Sequence, residues 1–97
     1  MPNYVTLVKW TEEGDKKIRE SPARLKAAAT LTEAVGGKFT DMYITIGEYD
    51  MVVISEGSSD EGAAAAALTI VSRGFVRTVT MRAFTLTDFQ AVLKQLP

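Results

Sequence analysis

The residues that decide the fold are Thr40-Asp41-Met42-Tyr43-Ile44-Thr45-Ile46-Gly47-Glu48-Tyr49-Asp50-Met51-Val52-Val53-Ile54-Ser55. Two strand-like runs, 40–46 and 51–55, are rich in β-branched and aromatic residues. They meet at Gly47-Glu48-Tyr49-Asp50, where Gly and Asp supply turn chemistry, so the stretch predicts an antiparallel hairpin. In the first run Met42, Ile44 and Ile46 alternate with Asp41, Tyr43 and Thr45, which makes one face aliphatic and the other mixed polar and aromatic. The second run, Met51 to Ile54, is continuously apolar, the pattern of a central strand covered on both faces.

Upstream, Tyr4 to Trp10 is β-rich and apolar on both alternating faces, which predicts a second central strand. Thr11 is placed to cap a short charged helix in which Glu12 and Glu13 stand four residues before Lys16 and Lys17, a solvated face. Ser21-Pro22 marks a longer helix with Ser as N-cap. Leu25, Ala28, Ala29, Thr32 and Val35 then recur at helical spacing until Gly36-Gly37 stops it.

Downstream, Ser58 and Glu61 have capping-box spacing ahead of Ala63 to Ala67, Leu68, Ile70 and Val71. The alanines predict a helix lying close against the sheet, since they keep high helix propensity and leave the backbone near the surface it packs on. Arg73-Gly74 ends that helix and Phe75 to Phe84 forms the last strand. Phe75, Arg77, Val79, Met81 and Ala83 share one side of it; Val76, Thr78, Thr80, Arg82 and Phe84 share the other. Thr87 and Gln90 repeat the capping-box spacing, and the stripe Phe89, Val92, Leu93, Leu96 is expected to dock a terminal helix.

The order strand, helix, strand, strand, helix, strand, with right-handed crossovers, is that of an α+β ferredoxin-like βαββαβ plait with a C-terminal helix, a single domain over residues 1–97. Its first and third strands lie in the middle, and those are the two runs with apolar residues on both faces. The main helices cover one sheet face only. The other face is expected to meet that of a second copy, giving a homodimer that closes toward a dimeric α/β barrel.

Composition narrows the chemistry. A chain of 97 residues buries only about two-thirds of its unfolded surface and gains from a partner subunit. Its 46% hydrophobic and 24% charged residues suit a globular domain, and 11 basic against 12 acidic residues leave no excess charge for nucleic acid or an anionic membrane. With neither Cys nor His, disulfides, thiolate or imidazole zinc sites, His- or Cys-ligated haem and Ser–His or Cys–His nucleophiles are excluded. An RNA-recognition surface needs exposed aromatics among basic residues on the third strand, and 50–56 has none. No cofactor is expected. Met1-Pro2-Asn3-Tyr4 runs straight into a strand with no secretory pattern, and no apolar run spans a bilayer; a cytoplasmic protein is expected.

Gly47-Glu48-Tyr49-Asp50, preceded by Tyr43-Ile44-Thr45-Ile46 and followed by Arg77-Thr78 and Arg82-Ala83-Phe84-Thr85, resembles the GYD-domain family. The likeness runs from Tyr4 through the last helix. It implies the dimeric α/β-barrel fold and a family without an assigned reaction. Phe75 and Val79 stand where the resemblance implies polar residues in the last strand.

With Met42, Ile44 and Ile46 toward the helices, the opposite face is expected to carry Tyr43, Thr45, Thr78, Thr80 and Arg82, with Thr6 and Trp10. Trp10, Tyr43, Thr45, Thr80 and Arg82 are thus the candidate ligand-binding set, an aromatic wall with hydroxyls and one guanidinium suited to a small organic anion or aromatic. The structural alternative pairs Arg82 with a carboxylate across the dimer. Asp50, entering an apolar strand, is a candidate proton acceptor; its competing role is to accept turn N–H bonds. Tyr43 and Tyr49 are candidate donors to an oxyanion, or half-buried packing with a wet tip. Trp10 is a stacking surface or a dimer anchor. Glu56, Asp60 and Glu61 are explained by capping and the helix macrodipole, and no metal site is expected. Three functions follow: a homodimer that binds a small organic ligand between its paired sheets, a metal- and haem-free enzyme of monooxygenase or isomerase type, and a structural assembly subunit.

Overall fold

The computed structural model covers residues 1–97. Its elements are β1 (Asn3–Trp10), α1 (Glu12–Lys16), a 3-10 turn (Ile18–Glu20), α2 (Ser21–Ala34), β2 (Lys38–Ile44), β3 (Met51–Glu56), α3 (Asp60–Ser72), β4 (Val76–Ala83) and α4 (Leu86–Leu93). The sheet order is β2-β3-β1-β4 with every neighbouring pair antiparallel. This is the ferredoxin-like plait, with the first and third strands central as expected. No helix is long and apolar enough to cross a membrane.

Register fixes which residues share a face. Tyr4, Thr6 and Val8 stand opposite Ser55, Val53 and Met51 on one side and Arg82, Thr80 and Thr78 on the other. Val8, Met51 and Val53 are buried, and Trp10, Leu25, Phe39, Met42 and Val76 pack around them. This is the helix-covered face. The alternate residues Val5, Leu7, Val52, Ile54, Val79 and Met81 form a contiguous apolar block on the other face, and nothing in the chain covers it. Val79 and Met81 remain 48% and 43% exposed. Within the chain the central strands are therefore sheltered on one face.

The local departures from expectation have simple causes. β2 stops at Ile44, and Thr45–Asp50 is a six-residue loop closed by Thr45 N–H to the Asp50 carbonyl at 2.9 Å and Thr45 Oγ1 to the Tyr49 carbonyl at 2.6 Å. Ile46 thus lies wholly exposed in the loop rather than toward the helices. Gly47 sits at φ +138°, where a side chain is strained. Ser21 is not the cap of α2 but its first residue, and its hydroxyl accepts from Arg24 Nη2 at 3.2 Å. The α3 cap is Ser59, one residue after the expected Ser58, accepting the Gly62 N–H at 3.0 Å. At α4 a capping box does form, between Thr85 and Asp88 rather than Thr87 and Gln90. Gly36 and Gly74 end α2 and α3 as expected, and Thr11 caps α1.

Two larger expectations fail. The α4 stripe does not dock within the chain: Phe89 is 49% exposed and Leu93 45%, because β4 ends at the sheet corner and carries the helix away from the core. The alanines of α3 do not close the gap to the sheet; they face Thr6, Thr78 and Thr80, side chains too small to fill the space between the layers.

The start of β4 is pinned by α1. Thr11 N–H and Oγ1 donate to the Phe75 and Gly74 carbonyls at 3.0 and 2.6 Å, and a Cβ on Gly14 would overlap the Phe75 carbonyl oxygen. Gly14→Ala must push this backbone contact apart, so its urea midpoint is expected to fall by the equivalent of about 1–3 kcal/mol with the slope unchanged.

Candidate functional site

The sheet divides the residues expected to form one site. Trp10, Thr6, Thr78 and Thr80 look into the space between sheet and helices, where a cavity of about 170 Å³ lies beneath α2 and α3. Arg82 is on the same face, at the end of the sheet near the start of α3. Tyr43 pairs with Val52 and stands exposed on the bare face, and Thr45 is in the loop with its hydroxyl committed to the Tyr49 carbonyl. Trp10, Thr80 and Arg82 thus share a face that Tyr43 and Thr45 do not reach. The face expected to carry a polar lining is an apolar block.

Asp50 has a clear partner. Its Oδ2 accepts the backbone N–H of Trp10 at 2.9 Å, while its own N–H donates to the Val8 carbonyl at 2.8 Å. The carboxylate extends the β3–β1 ladder past the end of the strands, holding a neighbouring strand rather than the turn itself. Tyr49 packs beside it, with Lys9 Nζ 5.3 Å from its ring centroid.

Within the chain, Arg82 lies beside a carboxylate. Its Nε lies 3.9 Å from Asp60 Oδ1, which also accepts the Tyr4 hydroxyl at 2.6 Å. The guanidinium carbon lies 5.8 Å from the Tyr4 ring centroid and 4.7 Å from that of Phe84. The hydrogen bond to Asp60 holds the proton on the Tyr4 phenol and raises its pKa, with desolvation adding to this and the Arg82 charge opposing it. Tyr4 and Asp60 were not legible as partners, 56 residues apart in sequence; a polar-tipped aromatic opening a central strand was the available signal. No three carboxylates gather where a metal ion would be held.

A family described as GYD domain matches residues 4–93. The chain belongs to the GYD-domain family. Over 95 residues, 97% of this chain and 100% of the relative, the GYD protein is 32% identical to the Thermus thermophilus "Glutamine synthetase and cystathionine beta-lyase binding protein". Among solved structures it is similar to TTHA0845, also from Thermus thermophilus, with a TM-score of 0.56 and 21% identity over 88% of this chain and 95% of that one. It is also similar to FFRP-DM1, with a TM-score of 0.58 and 17% identity over 87% and 100%. Both structural likenesses concern the fold.

Two substitutions check these contacts. Asp50→Ala leaves the Trp10 N–H without its acceptor and is expected to lower stability by about 1–3 kcal/mol in urea unfolding, with Asp50→Asn, which keeps an acceptor oxygen, losing less. For Tyr4, a folded-state pKa raised above 10.0 contributes stability that is complete below that pH and lost as pH rises through the folded value. The stability difference between the native protein and Tyr4→Phe is therefore expected to be flat up to about pH 10 and to shrink above it.

Proposed function

We propose that this GYD-domain protein is a homodimeric binding protein, in which two copies join through their bare sheet faces and the dimer captures other proteins. The observation that carries this reading is the uncovered block of Val5, Leu7, Val52, Ile54, Val79 and Met81. The exposed area fits. The chain presents 6567 Å² to solvent, whereas a folded monomer of 10.5 kDa presents about 5,400 Å². The surplus of about 1,100 Å² is comparable to the roughly 800 Å² that each partner buries in a standard interface, with part of it assigned to α4.

The rim favours a second copy as the occupant. Lys9 and Arg77 stand at one end of the block; toward the other, Glu56 stands opposite Lys38 and Asp41 leaves that end net acidic, by register. A copy turned end for end brings each cationic end toward the acidic end of its partner, with the apolar rows facing. Such packing matches the dimeric α/β barrel expected from the pattern of strands.

The α4 stripe of Phe89, Val92 and Leu93 is assigned to partner proteins. Its support is a relative, aligned over nearly this whole chain, whose name states that it binds two enzymes. Binding is favoured over turnover because Asp50 is committed to a backbone amide and has no titratable partner at the cavity.

Light scattering tests the pairing: the protein at low micromolar concentration is expected to have twice the chain mass, and Leu7→Asp or Val79→Asp the mass of one chain with unchanged far-ultraviolet dichroism. A native protein that scatters as a single chain sinks the reading. Surface plasmon resonance against purified glutamine synthetase and cystathionine β-lyase of the encoding organism is expected to show binding that Phe89→Ser with Val92→Ser removes without splitting the dimer.

A further inference from the structure

The open cleft beneath α2 and α3 has a cationic end and an apolar body. Its charged lining residues are Arg24, Arg73 and Glu56. Arg24 is in the first turn of α2, and its guanidinium lies 4.5 Å from the ring centroid of Phe75. Arg73 follows the last residue of α3 and stands two residues before Phe75. Both therefore sit at the end of the cleft where Trp10 pairs with Val76. Glu56 is at the other end, where it pairs with Asn3.

Neither arginine meets a carboxylate of its own chain. The ion pairs within the chain are Lys16 with Glu12 and Glu13, and Arg82 with Asp60. Arg24 is nevertheless held in place: its Nη1 and Nη2 donate to the Lys17 carbonyl and the Ser21 hydroxyl at 3.1 and 3.2 Å. That spends two of the five N–H groups of a guanidinium and leaves three. The Arg73 guanidinium is exposed beside it. Lys17 Nζ, 5.7 Å from the Phe75 ring centroid, adds a further cation to this end. Beyond the arginines the cleft is apolar, with Leu25, Ala28, Ala66 and Ile70 on the helix side and Val8 and Met51 on the sheet side.

These two parts define the ligand class. A bare inorganic anion leaves the apolar length in water, and a neutral apolar molecule leaves the guanidinium N–H groups without an acceptor. A molecule with an anionic head and an apolar body uses both. Two arginines against one glutamate leave a single positive charge in excess, which one carboxylate balances, and a guanidinium receives a carboxylate through two parallel N–H bonds. Glu56 repels that head from the other end and so sets the direction of entry.

We propose that the cleft binds an amphipathic monocarboxylate, its carboxylate at Arg24 and Arg73 and its apolar chain running between the helices and the sheet toward Thr6 and Thr80. The site lies within each protomer and does not depend on the pairing of copies.

Trp10 is the only tryptophan in the chain, and it lines the cleft beside the arginines, so its fluorescence reports occupancy. Titration of the full chain with octanoate is expected to give a saturable change at millimolar concentration or below. Octan-1-ol, which has the same chain length without the charge, is expected to bind at least about tenfold more weakly, and acetate, which has the charge without the chain, not at all. Arg73→Glu, a change at an exposed position, is expected to weaken octanoate at least about tenfold and leave octan-1-ol unchanged. Ala66→Leu, which fills the apolar length, is expected to weaken both, and Ala63→Val serves in its place where Ala66→Leu does not fold. The folded Leu7→Asp chain is expected to bind octanoate as the native protein does. The proposal is overturned by no saturable response to octanoate, by octan-1-ol or acetate binding as tightly, or by undiminished octanoate binding in Arg73→Glu or in a folded cleft-filling variant. Loss of binding in folded Leu7→Asp overturns it too, since the site would then lie between copies.

Discussion

Everything in this molecule follows from a four-stranded sheet that is apolar on both faces and covered on one. The two long helices can only reach the side to which right-handed crossovers bring them. Val8, Met51 and Val53 become the core there, while Leu7, Val52 and Val79, equally apolar and one residue away, stay partly or largely exposed. Burial of either set is favourable by the same surface term. The chain alone satisfies one of them and leaves the other as unmet hydrophobic surface.

The same asymmetry explains how much was legible. Strand order, crossover sense and the glycine helix stops were read from spacing and turn chemistry, because those signals are local. Which face of the sheet looks at the helices was not. Polarity points the wrong way here: Thr6, Thr78 and Thr80 are on the helix side, and the apolar block is on the open side. The threonines are tolerated on this side because Thr80 stays exposed to water and the Thr6 and Thr80 hydroxyls share a hydrogen bond. A count of polar and apolar residues per face cannot see either condition. The caps of α3 and α4 were misplaced by one and two residues for a related reason, since Ser58 and Ser59, or Thr85 and Thr87, are equivalent in type and only backbone geometry chooses between them.

The candidate site was legible in part. Trp10, Thr80 and Arg82 do share a face, but the loop keeps Thr45 to itself and the strand pleat sends Tyr43 to the other side. The Tyr4–Asp60–Arg82 group, which ties the first strand, the second long helix and the last strand together, joins residues distant in sequence and carries no motif. Such a group can be recognised only once the chain is folded.

The Asp50 carboxylate gives the turn an effect at a distance from its own position. By gripping the amide of Trp10 it fixes the backbone of the last residue of β1, from which the indole reaches the lining of the cleft. The turn after residues 47–49 and the backbone that carries the indole are thus joined through one carboxylate oxygen.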